Sequence, residues 1–214
     1  MKRSSLRGAA LVEFQIAALL VLLPLLLGVI QVALLICGYH ALSFAAAEAA
    51  RAGSVQHASR VAMLTALGDA LHPLHIDLTQ VTADGGPIDV VLAARLRATA
   101  DVLRHAAVER TTPTNTDFED HGRVLDGRRV LPNDALEHRA ASRGRASGRS
   151  LQESNLLRIR VRYCHALVVP LIDRMLPALL KGLDADPEHQ LCYAVGRVPL
   201  RVVSSAPMQS EAWP

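Results

Sequence analysis

A long apolar run near the amino terminus constrains this chain more than any other feature. The run extends from Ile16 to Ile30 and continues past Gln31 to Ile36. About twenty apolar residues in a helix, at a rise of 1.5 Å per residue, span the hydrocarbon core of a bilayer. The sequence therefore predicts a transmembrane helix, which we place at residues 9–38.

The remaining sequence is typical of a water-soluble domain and gives little reason to expect nucleic-acid binding. The chain has 214 residues, half of them hydrophobic, which is enough for one modest domain beside the apolar segment. Its formal net charge is +3, and Lys2, Arg3 and Arg7 alone carry three positive charges, so the chain without them is neutral. Only three Phe, three Tyr and one Trp could stack on bases.

The first eight residues form a short basic leader ahead of the apolar run. By the positive-inside rule, the leader keeps the amino end cytoplasmic and places the chain after Tyr39 on the other side of the membrane. Residues 45–47, all alanine, could imitate the cleavage site of a secretory signal peptide, but the apolar core of such a peptide has only about 7 to 15 residues. An uncleaved membrane anchor is the stronger alternative and stays open.

Glu13 is a carboxylate near the start of the membrane helix, and such a residue needs a reason. An acidic residue costs at most about 2.5 to 3.5 kcal/mol at the centre of a membrane helix and less near an interface. If the chain is cut after Gly8, Ala9 becomes the first residue and Glu13 the fifth. The new α-amino group could then pair with the carboxylate of an adjacent subunit, which would favour one axial stagger between packed helices.

Two stretches of the sequence resemble a known family. Residues 7–14, RGAALVEF, resemble the processing site of type IV pilin-like proteins, with Gly8 before the cut and Glu13 and Phe14 at the fifth and sixth mature positions. The continuation LPLLLGVIQ at residues 23–31, followed by the alanine-rich residues 41–53, is similar to the TadE-like minor pseudopilins of tight-adherence pilus systems. That family often carries a glutamate three residues after the glycine, where this chain has Gln31.

The resemblance implies a function in assembly and no catalysis. It implies a membrane-anchored minor pseudopilin that acts in assembly of a tight-adherence pilus or a related secretion system. The implied partners are a prepilin peptidase, other pilins or pseudopilins and the inner-membrane pilus platform, with no cofactor. Gly8 suits cleavage because a residue without Cβ lets the backbone approach a protease closely. The alternative is an uncleaved membrane-tethered periplasmic protein, which could be an enzyme.

The implied location is the inner membrane, crossed once, with the amino terminus cytoplasmic and the carboxyl-terminal domain periplasmic or incorporated in a pilus. Residues 39–72 are expected to extend the helix into the periplasm, because Ala41–Ala52 contains no helix breaker. Their small side chains could pack along neighbouring subunits or on the chain's own domain. A kink or local unwinding is expected near Pro24 to Gly28.

Residues 73–214 are predicted to form an α+β domain in which helices cover an antiparallel sheet. A helix is expected at residues 88–108, although its last residues, with 109–112, could instead form an edge strand that Pro113 stops. Alternation of apolar residues and arginines predicts a strand at 155–163, and residues 198–203 predict another, with Pro199 at an edge or a bulge. Residues 168–183 are expected to form a short helix or a hydrophobic loop. Residues 113–150 are expected to form a mobile surface loop.

The three cysteines have different expected fates. On the proposed topology, Cys164 and Cys192 lie in an oxidising compartment and are candidates for a disulfide. Closing a loop of that size would contribute roughly 3 to 4 kcal/mol in the chain-entropy model. Cys37 is expected to pack as a small apolar group, with an inter-subunit disulfide as the alternative.

The titratable residues suggest no catalytic or metal site. The histidines are scattered, with His72 and His75 as the one close pair, and no cysteine or carboxylate spacing completes a zinc motif. Asp117, Glu119 and Asp120 cluster, but a solvated loop explains them more simply than acid–base catalysis. Four arginines of the same loop could form a basic patch for anionic headgroups; these are Arg139, Arg143, Arg145 and Arg149.

Overall fold

The structure is a computed structural model that describes residues 6–76 and 87–214, with the backbone alone at residues 6–11 and 87. Its helices are α1 (Leu6–Ala17), α2 (Leu23–Val55), α3 (Arg60–Leu71), α4 (Pro87–His105), α5 (Asn115–His121), α6 (Leu151–Ser154), α7 (Ile172–Leu183) and α8 (Pro187–Ala194). Its strands are β1 (Ala106–Thr112), β2 (Arg123–Leu125), β3 (Arg128–Val130), β4 (Leu156–Ala166) and β5 (Arg197–Pro207). The fold is α+β, as the sequence predicts.

The chain divides into two compact units. The first unit combines the chain up to Gly38 with Cys164–Pro199, and the second combines Tyr39–Tyr163 with Leu200–Pro214. Helix α2 and strands β4 and β5 contribute residues to both units. The predicted membrane segment, residues 9–38, therefore belongs to the first unit, together with α7 and α8.

The amino-terminal helix is long and apolar enough, by length and composition, to cross a membrane from Val12 onward. One π-helical turn, Ala18–Leu22, separates α1 from α2, and the Leu23 N–H donates to the carbonyl of Ala18. Pro24 has no N–H, and its ring crowds the carbonyl four residues earlier, so a wider turn before it relieves the clash. The expected irregularity therefore lies before Pro24, while Pro24 to Gly28 remain α-helical; the predicted position was wrong.

The second unit is organised around strand β4, which lies at the centre of a three-stranded sheet of order β1-β4-β5. Strand β1 runs antiparallel to β4, with Ala106 opposite Tyr163 and Val108 opposite Val161. Alternate side chains of β4 are buried, namely Leu157, Ile159, Val161 and Tyr163, while the intervening arginines are not. The strand predicted from this alternation is confirmed.

Both edges of the sheet agree with the sequence. Helix α4 ends at His105 and β1 follows, so the edge strand is the right alternative for the residues before Pro113. Strand β5 is also an edge strand. This position suits Pro199, because proline has no backbone N–H and one side of an edge strand needs no donor for a neighbouring strand. It runs from Arg197 to Pro207 and is longer than predicted.

The second half of α2 packs into the core of the second unit. Its fully buried side chains are Leu42, Ala45, Ala46, Ala49 and Ala50, and they join a core with Met63 and Leu67 of α3. A Cβ on Gly53 would lie 2.8 Å from Met63 Cγ and 2.9 Å from Leu157 Cδ2, so this glycine permits a close approach. The small residues thus pack on the chain's own domain.

Helix α2 continues through Gly53 and ends at Val55. His57 and Ala58 then adopt positive φ, and Ser59 begins α3 by accepting a hydrogen bond from the Ala62 N–H. Residues 56–59 therefore separate two helices within the stretch predicted as one helical extension.

The region of the expected surface loop contains short elements that the sequence analysis did not assign. Helix α5 begins with a capping box between Thr114 and Asp117. Strands β2 and β3 form a hairpin through Asp126 and Gly127, both at positive φ. Asp-Gly is a strong hairpin signal, so the sequence did contain the information for this turn.

Candidate processing site and membrane-anchoring helix

The predicted processing residues all lie on α1. The structure places the backbone of Gly8 and Ala9 in this helix, and the leader residues 1–5 lie outside the described residues. Glu13 and Phe14 follow in the same helix, and both are exposed, Phe14 to 71%. Ala9 and Glu13 are four residues apart, so they share one face of the helix about one turn from each other.

Glu13 lies among exposed apolar side chains. Val12, Phe14 and Ile16 are all more than half exposed. Within the part of the chain that the structure describes, no hydrogen bond or ion pair is made to the Glu13 carboxylate. An acid with apolar neighbours and no partner among them requires either water or a partner from outside the described residues.

Gln31 connects residues 168–169 to the membrane helix by hydrogen bonds. Its side chain is fully buried, and its Oε1 accepts hydrogen bonds from the backbone N–H groups of Val168 at 3.2 Å and Val169 at 2.9 Å. These amides follow the end of β4, where no strand partner could accept from them. The position thus needs an acceptor, which either glutamine or the glutamate frequent in the resembled family can supply.

Further contacts are made by the last residues of β4, which belong to the first unit. The His165 ring lies against Gly38, where a Cβ would come within 2.7 Å of His165 Cε1. A disulfide joins Cys164 to Cys192, with their Cα atoms 5.2 Å apart, and Arg197 donates to the Cys164 carbonyl at 3.0 Å. Cys37 is free and exposed, so the expectation that it packs as a small apolar group is wrong within this chain.

The turn between α7 and α8 is held by Asp184. Its carboxylate lies 2.7 Å from His189 Nδ1 and accepts a hydrogen bond from the Tyr193 hydroxyl at 2.9 Å. The backbone N–H of Asp186, then His189 and Tyr193, hold the pKa of Asp184 below its usual value. Burial, reinforced by Asp184, raises the pKa of Tyr193 to about 12. The tyrosine is therefore neutral at physiological pH and works as a hydrogen-bond donor.

The acids that could suggest catalysis are held in structural roles. Asp117 has a fully buried side chain that accepts from Thr114, Ser154 and Arg149. Burial alone would raise the pKa of Asp117, but these hydrogen bonds, the Thr114 backbone first, hold it below its usual value. Such a carboxylate stays ionised and fully engaged, and it is poorly suited to exchanging protons with a substrate.

Asp120 accepts in the same way from the backbone of a neighbouring loop. Its carboxylate accepts hydrogen bonds from the backbone N–H groups of Ala146 and Ser147. The hydrogen bonds from Ser147 hold the pKa of Asp120 below its usual value. A Cβ on Gly144 would overlap Oδ2 of this carboxylate, so a larger residue could not be placed there without a shift. Asp120 thus orders the loop that contains Gly144.

The basic loop is largely neutralised by its own acids. Arg139 pairs with Asp134 at 2.9 Å, and Arg149 pairs with Asp117 at 3.1 Å. Arg143 lies 3.9 Å from Glu153. Three of the four arginines predicted to form a basic patch therefore lie beside an acid, and among the described residues Arg145 is the one that makes no ion pair.

His72 and His75, the close histidine pair, each lie near an oxygen atom of another residue. His72 Nδ1 lies 2.5 Å from the carbonyl of Asp69, and His75 Nε2 lies 3.9 Å from Asp101. Among residues 6–76 and 87–214, no group of three or more His, Cys, Asp or Glu side chains is placed to hold a metal ion.

Comparison with known proteins agrees with the resemblance seen in the sequence. The family model described as TadE-like protein matches residues 8–51. The match begins at Gly8, and it includes Glu13, Phe14, Gln31 and most of the alanine-rich half of α2. No curated protein and no solved structure matches the chain. The resemblance to TadE-like proteins is thereby confirmed for the amino-terminal segment.

Proposed function

We propose that the chain is a membrane-anchored minor pseudopilin of the TadE-like type, acting in assembly of a tight-adherence pilus or a related secretion system. A prepilin peptidase would cleave it between Gly8 and Ala9. One observation carries the proposal: the TadE-like match begins at Gly8 and runs along a helix apolar enough to cross a membrane. Glu13, the single acid among residues 9–38, lies four residues beyond the new amino terminus.

Glu13 has a defined task in this proposal. Within the described residues it has no partner, and ionised in lipid it costs up to about 2.5 to 3.5 kcal/mol, depending on depth. Cleavage creates an α-amino group on the same helical face, and a neighbouring subunit presents an equivalent amine. Pairing with that amine removes the cost in one register and not in others, so Glu13 sets the stagger between packed helices.

The charge of the leader and the chemistry of the disulfide support the proposed orientation. Lys2, Arg3 and Arg7 favour a cytoplasmic amino end, which would place the second unit in the periplasm. The disulfide between Cys164 and Cys192 supports this topology, because disulfides persist in the periplasm and rarely in the cytosol. An alkaline phosphatase fused after Pro214 should therefore be active, whereas inactivity would contradict the orientation.

In this proposal the protein is an assembly component and a substrate of the peptidase, and it catalyses no reaction itself. Asp117 and Asp120 are occupied by hydrogen bonds that order loops, which supports a structural role for the two acids. The expected partners are the prepilin peptidase, other pilins or pseudopilins and the inner-membrane pilus platform. An uncleaved periplasmic tether is the alternative that the cleavage experiment separates from this proposal.

Amino-terminal sequencing and intact-mass measurement of protein from host membranes test the cleavage. The mature chain should begin at Ala9. Gly8→Val should retain the leader, because a branched side chain obstructs the close approach that glycine allows. Gly28→Val is the matched control on the same apolar helix, since a Cβ on Gly28 meets no atom within 4 Å. A wild-type chain that still begins with Met1 would overturn the proposal.

Assembly is tested separately at Glu13. Glu13→Gln keeps the shape of the side chain but removes its charge, so we expect normal cleavage and a loss of co-purification with pilus components. Gln15→Ala changes an exposed polar residue half a turn away and serves as the control. Undiminished co-purification of Glu13→Gln would contradict the proposed task of the carboxylate.

A further inference from the structure

Helix α7 is amphipathic along its whole length. One face carries Ile172, Met175, Leu176, Leu179 and Leu183, which recur at the spacing of one helical face. The opposite side carries Arg174 and Lys181, both exposed. Such a helix in a soluble protein would bury its apolar face, yet Leu179 is 61% exposed and Leu183 is 75% exposed.

The apolar face of α7 shares a groove with the membrane helix. The groove has a volume of about 600 Å³ and is lined by residues of two helices within the first unit. The lining residues are Pro24, Leu25, Gly28, Val29, Gln31 and Val32 of α2. From α7 the lining takes Ile172, Met175, Leu176 and Leu179.

Almost nothing polar is available to a ligand in this groove. Gln31 is the polar member of the lining: its Oε1 accepts from the amides of Val168 and Val169, and its Nε2, which has no hydrogen-bond partner among the described residues, is buried away from the opening. The side chains that face the opening are large and apolar, such as Val29, which is 62% exposed. The chemistry of the groove therefore suits hydrocarbon.

The position of the groove along α2 fixes its depth in a bilayer. The predicted membrane segment at residues 9–38 has its midpoint between Leu23 and Pro24. In a bilayer centred on this segment, with a hydrocarbon core about 30 Å thick, Pro24 to Val32 lie in the half farther from the amino terminus. A helix that shares a groove with these residues reaches the same leaflet.

We propose that α7 is an interfacial membrane helix and that the groove between α2 and α7 holds acyl chains of the leaflet opposite the amino terminus. Leu179 and Leu183 then lie at the acyl boundary, while Arg174 and Lys181 reach the phosphate headgroups. The disulfide between Cys164 and Cys192 closes the segment that carries α7 into a loop, and the hydrogen bonds to Gln31 attach the start of that loop to α2. This inference rests on the membrane-anchoring part of the proposed function and is independent of leader cleavage.

Site-specific labelling of the full-length chain in vesicles tests the inference. Cys37→Ala removes the free thiol, and Cys164 and Cys192 remain blocked in their disulfide. In this background Leu179→Cys carries an environment-sensitive nitrobenzoxadiazole dye, in phosphatidylcholine and phosphatidylglycerol vesicles whose acyl chains are brominated. We expect bromine quenching several-fold stronger for this label than for one at Lys181→Cys on the polar face.

Two further labels separate the possible failures. A label at Leu26→Cys, which is exposed on α2 outside the groove, reports whether α2 itself is in the bilayer. An unquenched Leu26 label overturns the membrane anchoring and with it the present inference. A quenched Leu26 label with an unquenched Leu179 label overturns the inference about α7 alone. Leu183→Cys, on the same apolar face, replaces Leu179→Cys if that variant does not fold.

A second copy of the chain could fill the groove instead of lipid. Diluting the protein to one chain per vesicle distinguishes the two occupants, because lipid contact is independent of dilution. Quenching of the Leu179 label that is unchanged on dilution supports acyl chains in the groove. Quenching that first appears on dilution shows that a second copy covers the groove, and it overturns the inference.

Discussion

Helix α2 is continuous, but its two halves show opposite relations to their surroundings. In the half that ends at Gly38, large aliphatic residues such as Leu25, Leu26 and Val29 are exposed on several sides. In the half that begins at Tyr39, the small side chains of Ala45, Ala49 and their neighbours are fully buried. Side-chain size thus distinguishes the two environments, because close packing of protein on protein favours small residues, while lipid accepts large ones on all sides.

A negative charge placed in each half should give the largest contrast. Ala49→Asp puts an unpaired carboxylate into the core of the second unit, which we expect to lower the free energy of unfolding by about 4 kcal/mol or more. Leu26→Asp should leave the thermal unfolding of that unit unchanged and reduce membrane insertion, at a cost of about 2.5 to 3.5 kcal/mol. Thermal unfolding in detergent and membrane fractionation measure the two effects.

Phe44→Asp is the control for the first measurement. Phe44 lies on the same half of α2 but is 60% exposed, so its replacement should change unfolding by less than about 0.5 kcal/mol. Equal destabilisation by Ala49→Asp and Phe44→Asp would show that the burial of this helical face is not what stabilises the second unit.

Asp117, a buried acid of the second unit, should make the stability of that unit depend on pH. Its hydrogen bonds lower its pKa in the folded state, so the stability that they provide is present above the pKa of the unfolded chain. That stability is lost as the pH falls through the lower, folded-state pKa. Chemical unfolding measured between neutral pH and strongly acidic pH should show this loss.

Asp117→Asn should remove the acid-dependent component and lower stability at neutral pH by roughly 3 kcal/mol, because Arg149 and Ser154 lose a charged acceptor. Asp126→Asn changes an exposed acid in the β2–β3 turn and should leave the acid profile as it is. An identical acid profile in wild type and Asp117→Asn would contradict the structural role of Asp117.

Gln31 tests the same comparison in the half of α2 that ends at Gly38. It is a fully buried polar residue there, whereas most of the large aliphatic side chains of that half are exposed. Gln31→Leu removes the acceptor of two backbone amides, which should destabilise the attachment of residues 168–169 by about 1 to 3 kcal/mol. Hydrogen exchange of the Val168 and Val169 amides measures this attachment. Gln31→Glu keeps an acceptor and should preserve their protection; loss of protection in both variants would mean that side-chain shape matters and the acceptor does not.

Several elements could be predicted from the sequence because their determinants are local. The alternation around Ile159 specifies a strand with one buried face, and the apolar length after Glu13 specifies a membrane helix. The contact of Gln31 with Val168 could not be predicted, because 137 residues separate the two and nothing local encodes their approach.

Two other features were accessible from the sequence in part. The amphipathic spacing of α7 favours a helix, but sequence spacing alone does not say what its apolar face meets. A helix irregularity caused by Pro24 was expected, but its position at Ala18–Leu22 was not. The irregularity precedes the proline because the ring clashes with a carbonyl of the preceding turn. Local patterns thus specify element type better than they specify the environment of each face.

The two glycines of α2 give the smallest and most discriminating test of the comparison. Gly53→Ala brings a methyl group within 3 Å of Met63 and Leu157, which should cost about 1 to 3 kcal/mol of stability through overpacking. Gly28→Ala meets no atom within 4 Å, so it should be neutral or stabilise the helix by up to about 1 kcal/mol through helix propensity. The identical chemical change should therefore have opposite signs in the two halves, as measured by thermal unfolding of the purified chain. Stabilisation by both substitutions would mean that helix propensity outweighs packing along the whole of α2. The contrast between a protein-facing and a lipid-facing half would then lose its energetic basis.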